Sequence, residues 1–200
     1  STEEAFETRL SVARQVGCEK HVFLGLDVAA NELFDAQKSC YNMKSGCMEA
    51  EKLIEYYQQL CRNYPLLYIE DAFHEDDWLH FSQLTSLLPE KQIVGDDLFA
   101  TNDERLKMGI EKKAANTLLL KVNQIGTVSE ALKTAAMAKN NRFEITASLR
   151  SGETNDTFQA DLAVAVGAKQ MKLGSPVRGE RNGKYNRLMR IEDDLMSAVI

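Results

Sequence analysis

Thr117-Leu-Leu-Leu-Lys-Val-Asn-Gln-Ile-Gly126 places three leucines in a row and then a lysine. Consecutive apolar residues without helical spacing predict a short strand buried on both faces. Lys121 then falls at the strand's C-terminal end, where an ammonium is costly to bury without partners. Gly126 supplies a turn residue. Thr127-Val-Ser-Glu130 has the form of a capping box, which predicts a helix running through Lys139. The unit is strand, loop and helix, with a lysine at the strand's mouth.

The same unit recurs along the chain. Val22-Phe-Leu-Gly-Leu-Asp27, Leu66-Leu-Tyr-Ile-Glu70-Asp71, Gln92-Ile-Val-Gly-Asp96-Asp97, Glu144-Ile-Thr-Ala-Ser148 and Gln170-Met-Lys172-Leu-Gly174 are short apolar runs ending in polar groups, each followed by a helical pattern. The steps from Asp27 to Glu70, Asp96, Lys121, Ser148 and Lys172 are 43, 26, 25, 27 and 24 residues. Alternation at that period predicts an α/β fold, a (β/α)8 barrel of the TIM type, whose chemistry gathers at the C-terminal strand ends. Three successive strands end in carboxylates and the next in a lysine. Six strands are legible where the barrel needs eight, so the expectation is an incomplete barrel, a fragment or one completed by another chain. Without a linker or low-complexity segment, residues 1–200 read as one domain.

Composition limits the alternatives. At 200 residues and 44% hydrophobic content, the chain can bury one sizeable core. A net charge of −6 without a basic cluster disfavours nucleic acid as a partner. No apolar run approaches the about 20 residues a membrane span requires, and no signal peptide is visible. Cys18, Cys40, Cys47 and Cys61 lack zinc-ligand spacing and read as reduced thiols of a cytoplasmic protein.

Around the strands, Glu3–Val16 reads as an amphipathic helix closed by Gly17. Val28–Gly46 is the longest irregular stretch, suited to a loop over the barrel mouth or a small hairpin. Helices are expected over Met48–Asn63, Trp78–Leu88 and Arg105–Lys113, the last capped by Thr101-Asn-Asp-Glu104. Phe158–Val166 reads as a core helix. Arg181–Ile200 reads as an amphipathic segment presenting Tyr185, Leu188, Ile191 and Leu195.

Leu118-Leu-Leu-Lys-Val-Asn-Gln-Ile-Gly126, Ile69-Glu-Asp71, Val94-Gly-Asp-Asp-Leu98, Arg150-Ser-Gly-Glu-Thr154 with Asp156-Thr-Phe158, and Lys184-Tyr-Asn-Arg-Leu-Met-Arg-Ile-Glu192 occur in this order. Together they resemble the C-terminal barrel domain of the enolase family, from Gly25-Leu-Asp27 onward. The resemblance implies an enolase-superfamily barrel from which the first part and a separate N-terminal domain are absent. It also implies a magnesium-dependent lyase, a phosphopyruvate hydratase of glycolysis that reversibly dehydrates 2-phosphoglycerate to phosphoenolpyruvate. The expected partner is a small phosphorylated 2-hydroxy acid, and the full-length protein is expected to be a homodimer.

The residue types suit that chemistry. The proton to be removed lies beside a carboxylate, so its loss adds charge to a group already ionised. Magnesium is a hard ion that takes carboxylate oxygens, which Asp27, Glu70 and Asp96 would supply. Lys121 is expected as the base; a lysine base with magnesium is a known pairing for this superfamily. Lys172 is expected to face the substrate carboxylate. Arg150 and Ser151 are expected at the phosphate, since a guanidinium presents a planar fork to phosphate oxygens. Asp71 and Asp97 read as supporting or capping groups, and His74 and His80 as packing or surface residues.

Departures from the family pattern pull the other way. Leu149 stands where the family carries a histidine before Arg-Ser-Gly-Glu, Ala72 follows Ile-Glu-Asp in place of proline, and Asn155 replaces an acidic residue. The family's general-acid glutamates belong to the part not represented here, so this stretch alone is expected to be inactive. The alternative expectation is a non-catalytic enolase-like protein kept for a structural or binding role.

Overall fold

The computed structural model describes residues 1–198, which divide into two compact units. The first comprises Ser1–Leu98 with Glu111–Asn116, and the second Phe99–Ile110 with the chain from Thr117 onward. The fold class is α/β, with strands and helices alternating along the chain.

In the first unit, helix α1 (Thr2–Gln15) precedes strand β1 (Leu24–Asp27). Ser1 and Glu4 form a reciprocal capping box at the start of α1. The Val28–Gly46 stretch carries β2 (Phe34–Asp35) and β3 (Cys40–Met43) and leads into β4 (Gly46–Met48), which takes Met48 from the helix expected there; the three form a small antiparallel sheet. Gly46 sits at φ +116°, a backbone state the β3–β4 turn needs and an L side chain resists. Helix α2 (Ala50–Asn63), β5 (Leu66–Glu70), α3 (Trp78–Leu87) and β6 (Gln92–Gly95) follow. Strands β1, β5 and β6 lie side by side and parallel, with Asp27 opposite Glu70 and Glu70 opposite Val94. Helix α2 buries Leu53, Ile54, Tyr57 and Leu60, spaced as one helical face. Phe73 is edge-on to Tyr41, Tyr57 and Phe81, and the Tyr57 hydroxyl donates to Ala72 O at 2.8 Å. This aromatic cluster packs directly behind the turn that follows β5.

The second unit holds α4 (Asp103–Lys112, its last two residues grouped with the first unit), β7 (Thr117–Leu120), α5 (Val122–Ile125), α6 (Val128–Asn140), β8 (Glu144–Ser148), α7 (Phe158–Ala165), β9 (Gln170–Lys172) and α8 (Gly179–Ala198). Strands β7, β8 and β9 are parallel, with Leu120 opposite Ala147 and Ser148 opposite Lys172. All four residues of β7 are buried, as three successive leucines require. Thr127 caps α6 by accepting the Glu130 N–H, and Ala131, Ala135 and Ala138 give the helix a small-residue buried face. Asp161 of α7 takes the Arg187 guanidinium of α8 through both carboxylate oxygens, with Nε at 3.1 and 3.0 Å.

Several expectations are corrected. Cys40 and Cys47 form a disulfide, because the β3–β4 hairpin sets their Cα atoms 5.8 Å apart, within bridging range; Cys18 and Cys61 are free. The cap of α4 is Asn102, whose Oδ1 accepts the N–H groups of Glu104 and Arg105, while Thr101 turns away at φ +55°. The loop after Lys121 is the helical turn α5, closed by Gly126 at φ +104°. Phe158 and Val164 are exposed, so α7 is core only through Gln159, Ala160, Leu162 and Ala163. In α8 Leu195 is exposed and the buried residue is Lys184; Val199 and Ile200 lie outside the described residues. Among the described residues no helix is long and apolar enough to cross a membrane.

Candidate active site

Asp27 and Glu70 end neighbouring strands in register, and Asp96 directly follows β6. Glu70 is fully buried and Asp96 nearly so, while Asp27 is exposed. The phenol of Tyr68 bonds one of the three acids. Its hydroxyl donates to Glu70, two residues on along β5 and on the same face. Burial, then the charges of Glu70, Asp27 and Asp96, push its pKa far above the usual tyrosine value. Tyr68 therefore stays protonated and serves as a fixed donor beside three carboxylates.

Asp71 has a different task. Held at φ +44°, its carboxylate accepts the backbone N–H groups of Asp96 at 3.0 Å and Asp97 at 2.9 Å. It thus sets the turn that presents Asp96. Burial is the main reason its pKa rises to about 8; the neighbouring acids add to the rise, and the two N–H donors oppose it. Carboxylate oxygens of Asp71, Asp96 and Asp97 lie within 4.8 Å of one another, a spacing compatible with a metal ion. This close trio shares only Asp96 with the sequence-derived set of Asp27, Glu70 and Asp96. Asp97 in turn accepts from Asn31 Nδ2 at 2.9 Å, and Asn31 also reaches Glu75. His80 packs against Phe73 and bonds Asp77 through Nδ1 at 2.7 Å, and His74 lies against Phe34.

In the second unit Lys121 directly follows β7 and is buried. Its backbone N–H donates to Thr101 Oγ1 at 2.9 Å, and that hydroxyl also contacts Gln124 Oε1 at 2.9 Å and Leu119 O at 3.4 Å. Thr134 Oγ1 donates back to Thr101 O at 3.0 Å. Gln159, buried at the start of α7, donates to Leu120 O at 3.3 Å. The peptide unit joining Leu120 to Lys121 is thus held at both its carbonyl and its N–H. Ser148 is buried at the end of β8, opposite Lys172, which is exposed. Arg150 and Ser151 are exposed on the loop after β8. A cleft of about 350 Å³ opens beside that loop, walled by Asn123, Ser148, Leu149, Thr154, Phe158 and Gln159 among others. Leu149 is one of its walls; Arg150, Ser151, Lys121 and Lys172 are not among its lining residues.

The supporting roles of Tyr68, Thr101 and Gln159 escaped the sequence reading, in which Thr101 stands only as part of a capping box. Only Tyr68 left a signal there, as an alternate residue on the strand that ends in Glu70.

Parallel strands joined by helices, with charged residues at strand C-terminal ends in each unit, define a protein of the α/β class built from βαβ units. The model of the family described as enolase, C-terminal TIM barrel domain, matches residues 1–200, and the chain belongs to that family. It is 46% identical over 203 residues to the enolase of Corynebacterium kroppenstedtii, covering 100% of this chain and 48% of that relative. Against the enolase of Methanosarcina acetivorans the identity is 48% over 193 residues, covering 96% and 44%. The enolase of Methanocaldococcus jannaschii is 48% identical over 195 residues, covering 98% and 45%. The chain spans about half the length of the curated relatives it matches.

Proposed function

We propose that residues 1–200 form one barrel domain of an enolase-type lyase, which removes water from 2-phosphoglycerate to give phosphoenolpyruvate in the cytoplasm. The observation that carries this reading is the set of three carboxylates at successive strand ends, Asp27, Glu70 and Asp96, in a chain of the enolase family. Hard oxygen donors, two of them buried, fit a magnesium ion, and Asp27, Glu70 and Asp96 would hold it. Bound there, magnesium would stabilise as a Lewis acid the negative charge that grows on the substrate.

The chain's own residues divide the remaining work. Lys121 would accept the proton from the carbon beside the substrate carboxylate, its backbone held by Thr101. The hydroxyl on the next carbon would leave as water with a proton from an acid outside residues 1–200. Lys172 would face that carboxylate. Arg150 and Ser151 would take the phosphate, the guanidinium through paired hydrogen bonds. Tyr68 would keep Glu70 oriented, and Asp71 would keep Asp96 in place.

One observation favours a second reading, a non-catalytic enolase-like protein: Leu149 offers no polar group to the cleft it lines. Two measurements on the full-length protein, expected to be a homodimer, decide between the readings. Calorimetry should show magnesium binding that weakens at least about tenfold in Glu70→Gln and Asp96→Asn. Absorbance should follow phosphoenolpyruvate formation from 2-phosphoglycerate. Magnesium binding indifferent to both substitutions would overturn the lyase reading, and binding without any turnover would favour the second.

A further inference from the structure

Lys184 of α8 is completely buried, the only buried residue of that helix among those described. An ammonium taken out of water costs several kcal/mol unless its donors are met. Here all three donors find oxygen: Thr154 O at 2.6 Å, Glu180 O at 2.9 Å and the Glu153 carboxylate at 3.4 Å. Two of these acceptors belong to the loop after β8. The other Glu153 oxygen accepts the backbone N–H of Arg150 at 3.3 Å. A continuous path therefore runs from Lys184 through Glu153 to the backbone of Arg150.

The loop needs such an anchor. From Arg150 to Asp156 it has no helix or strand, and most of its residues are exposed. Its remaining bonds are local: Asp156 N–H to Thr154 Oγ1 at 3.3 Å and Phe158 N–H to Asp156 Oδ1 at 2.7 Å. Packing alone does not explain Lys184, since a methionine would fill the same space without a buried charge. We infer that Lys184 is a positioning residue, fixing the Arg150–Asp156 turn from below so that Arg150 and Ser151 are presented in one arrangement. The inference rests on the proposal that these two residues take the substrate phosphate.

The test uses the full-length protein with magnesium and three variants: Lys184→Met, Glu153→Gln and Arg150→Met. In Lys184→Met the amides of residues 150–156 should exchange on the order of tenfold faster, and the dissociation constant for 2-phosphoglycerate should rise by on the order of tenfold or more. Magnesium affinity should stay at the wild-type value, which general loss of structure would not allow. Glu153→Gln, a partly exposed position, should move exchange and binding in the same direction by less, and it carries the test if Lys184→Met does not fold. Wild-type exchange in the loop of the variants would overturn the inference. So would faster exchange with wild-type 2-phosphoglycerate binding, provided Arg150→Met weakens that binding. If Arg150→Met binds like the wild type, the phosphate assignment fails, and exchange alone decides whether Lys184 orders the turn.

Discussion

The carboxylate of Asp71 accepts the backbone N–H of Asp97 at 2.9 Å, so the turn after β6 is built on the acid that follows β5. This buried acid makes stability depend on pH. In the folded protein it keeps its proton up to about pH 8, chiefly through burial. In the unfolded chain it loses that proton near the ordinary value of about 3.9. Between those values the folded state binds more protons, so stability falls as pH rises from about 4 to about 8. A single proton gives at most about 1.4 kcal/mol per pH unit. Urea denaturation of the metal-free protein at pH 5, 6, 7 and 8 should show this decline. Asp71→Asn removes the titration and keeps an acceptor for one N–H, so its slope should be flatter. An equal slope in both proteins would mean that other groups cause it.

Thr101 gives a second prediction. Its side chain accepts the Lys121 N–H, and its carbonyl accepts from Thr134. Thr101→Val keeps the shape but leaves the buried N–H of Lys121 without its acceptor. The cost should be about 1–3 kcal/mol, the penalty of an unmet buried donor. Thermal denaturation reads the loss, and exchange of the Lys121 amide should accelerate selectively. A variant as stable as the wild type would show that the hydroxyl contributes little.

What could be read from the sequence divides by how local the cause is. The endings of the six parallel strands were legible, because apolar runs such as Leu118-Leu-Leu120 and Ile69 before Glu70 carry their own signal. The hairpin within Val28–Gly46 was legible as a possibility, but the register that joins Cys40 to Cys47 was not. Thr101-Asn-Asp-Glu104 looked locally like a capping box. The helix uses Asn102 instead, because the Thr101 hydroxyl is recruited by Lys121, twenty residues later. Lys184 stands in the sequence only as the first residue of the motif ending in Glu192. Only the loop folded over it, thirty residues earlier, makes it a buried anchor. The acids of the candidate site were legible for a similar reason to the strands: they lie at strand ends. Of their orienting partners, Tyr68 lies two residues from Glu70 on the same strand face, while Asn31 reaches Asp97 through a contact that spacing does not encode.

Thr146, in the middle of β8, has a buried hydroxyl without a hydrogen-bond partner, the one such side-chain atom among the described residues. Leaving a hydroxyl unmet in a buried site is costly, whereas an apolar group of the same shape is not. Thr146→Val should therefore stabilise the protein by about 1 kcal/mol and leave magnesium affinity unaltered. The denaturation midpoint is the readout. Destabilisation would show that the hydroxyl is satisfied in solution, for instance by a buried water.

Leu149 is the departure that most divides the two proposed functions. It follows Ser148 at the end of β8 and lines the cleft beside the Arg150 loop, where its side chain can neither donate nor accept a hydrogen bond. Loss of one positioned polar group commonly costs on the order of 10²–10³ in rate. On the lyase reading the full-length protein should accordingly convert 2-phosphoglycerate slowly, while binding magnesium with Glu70 and Asp96 intact. Leu149→His restores a donor and acceptor at that strand end, and turnover should rise by on the order of tenfold or more. The assay is phosphoenolpyruvate formation followed by absorbance for both proteins, with magnesium affinity measured in parallel. Because Leu149 is only partly buried, the imidazole enters the cleft wall without opening a core cavity. Fast turnover of the unmodified protein would show that the histidine is dispensable in this chain. If neither protein turns over while both bind magnesium, the defect lies elsewhere and the non-catalytic reading gains.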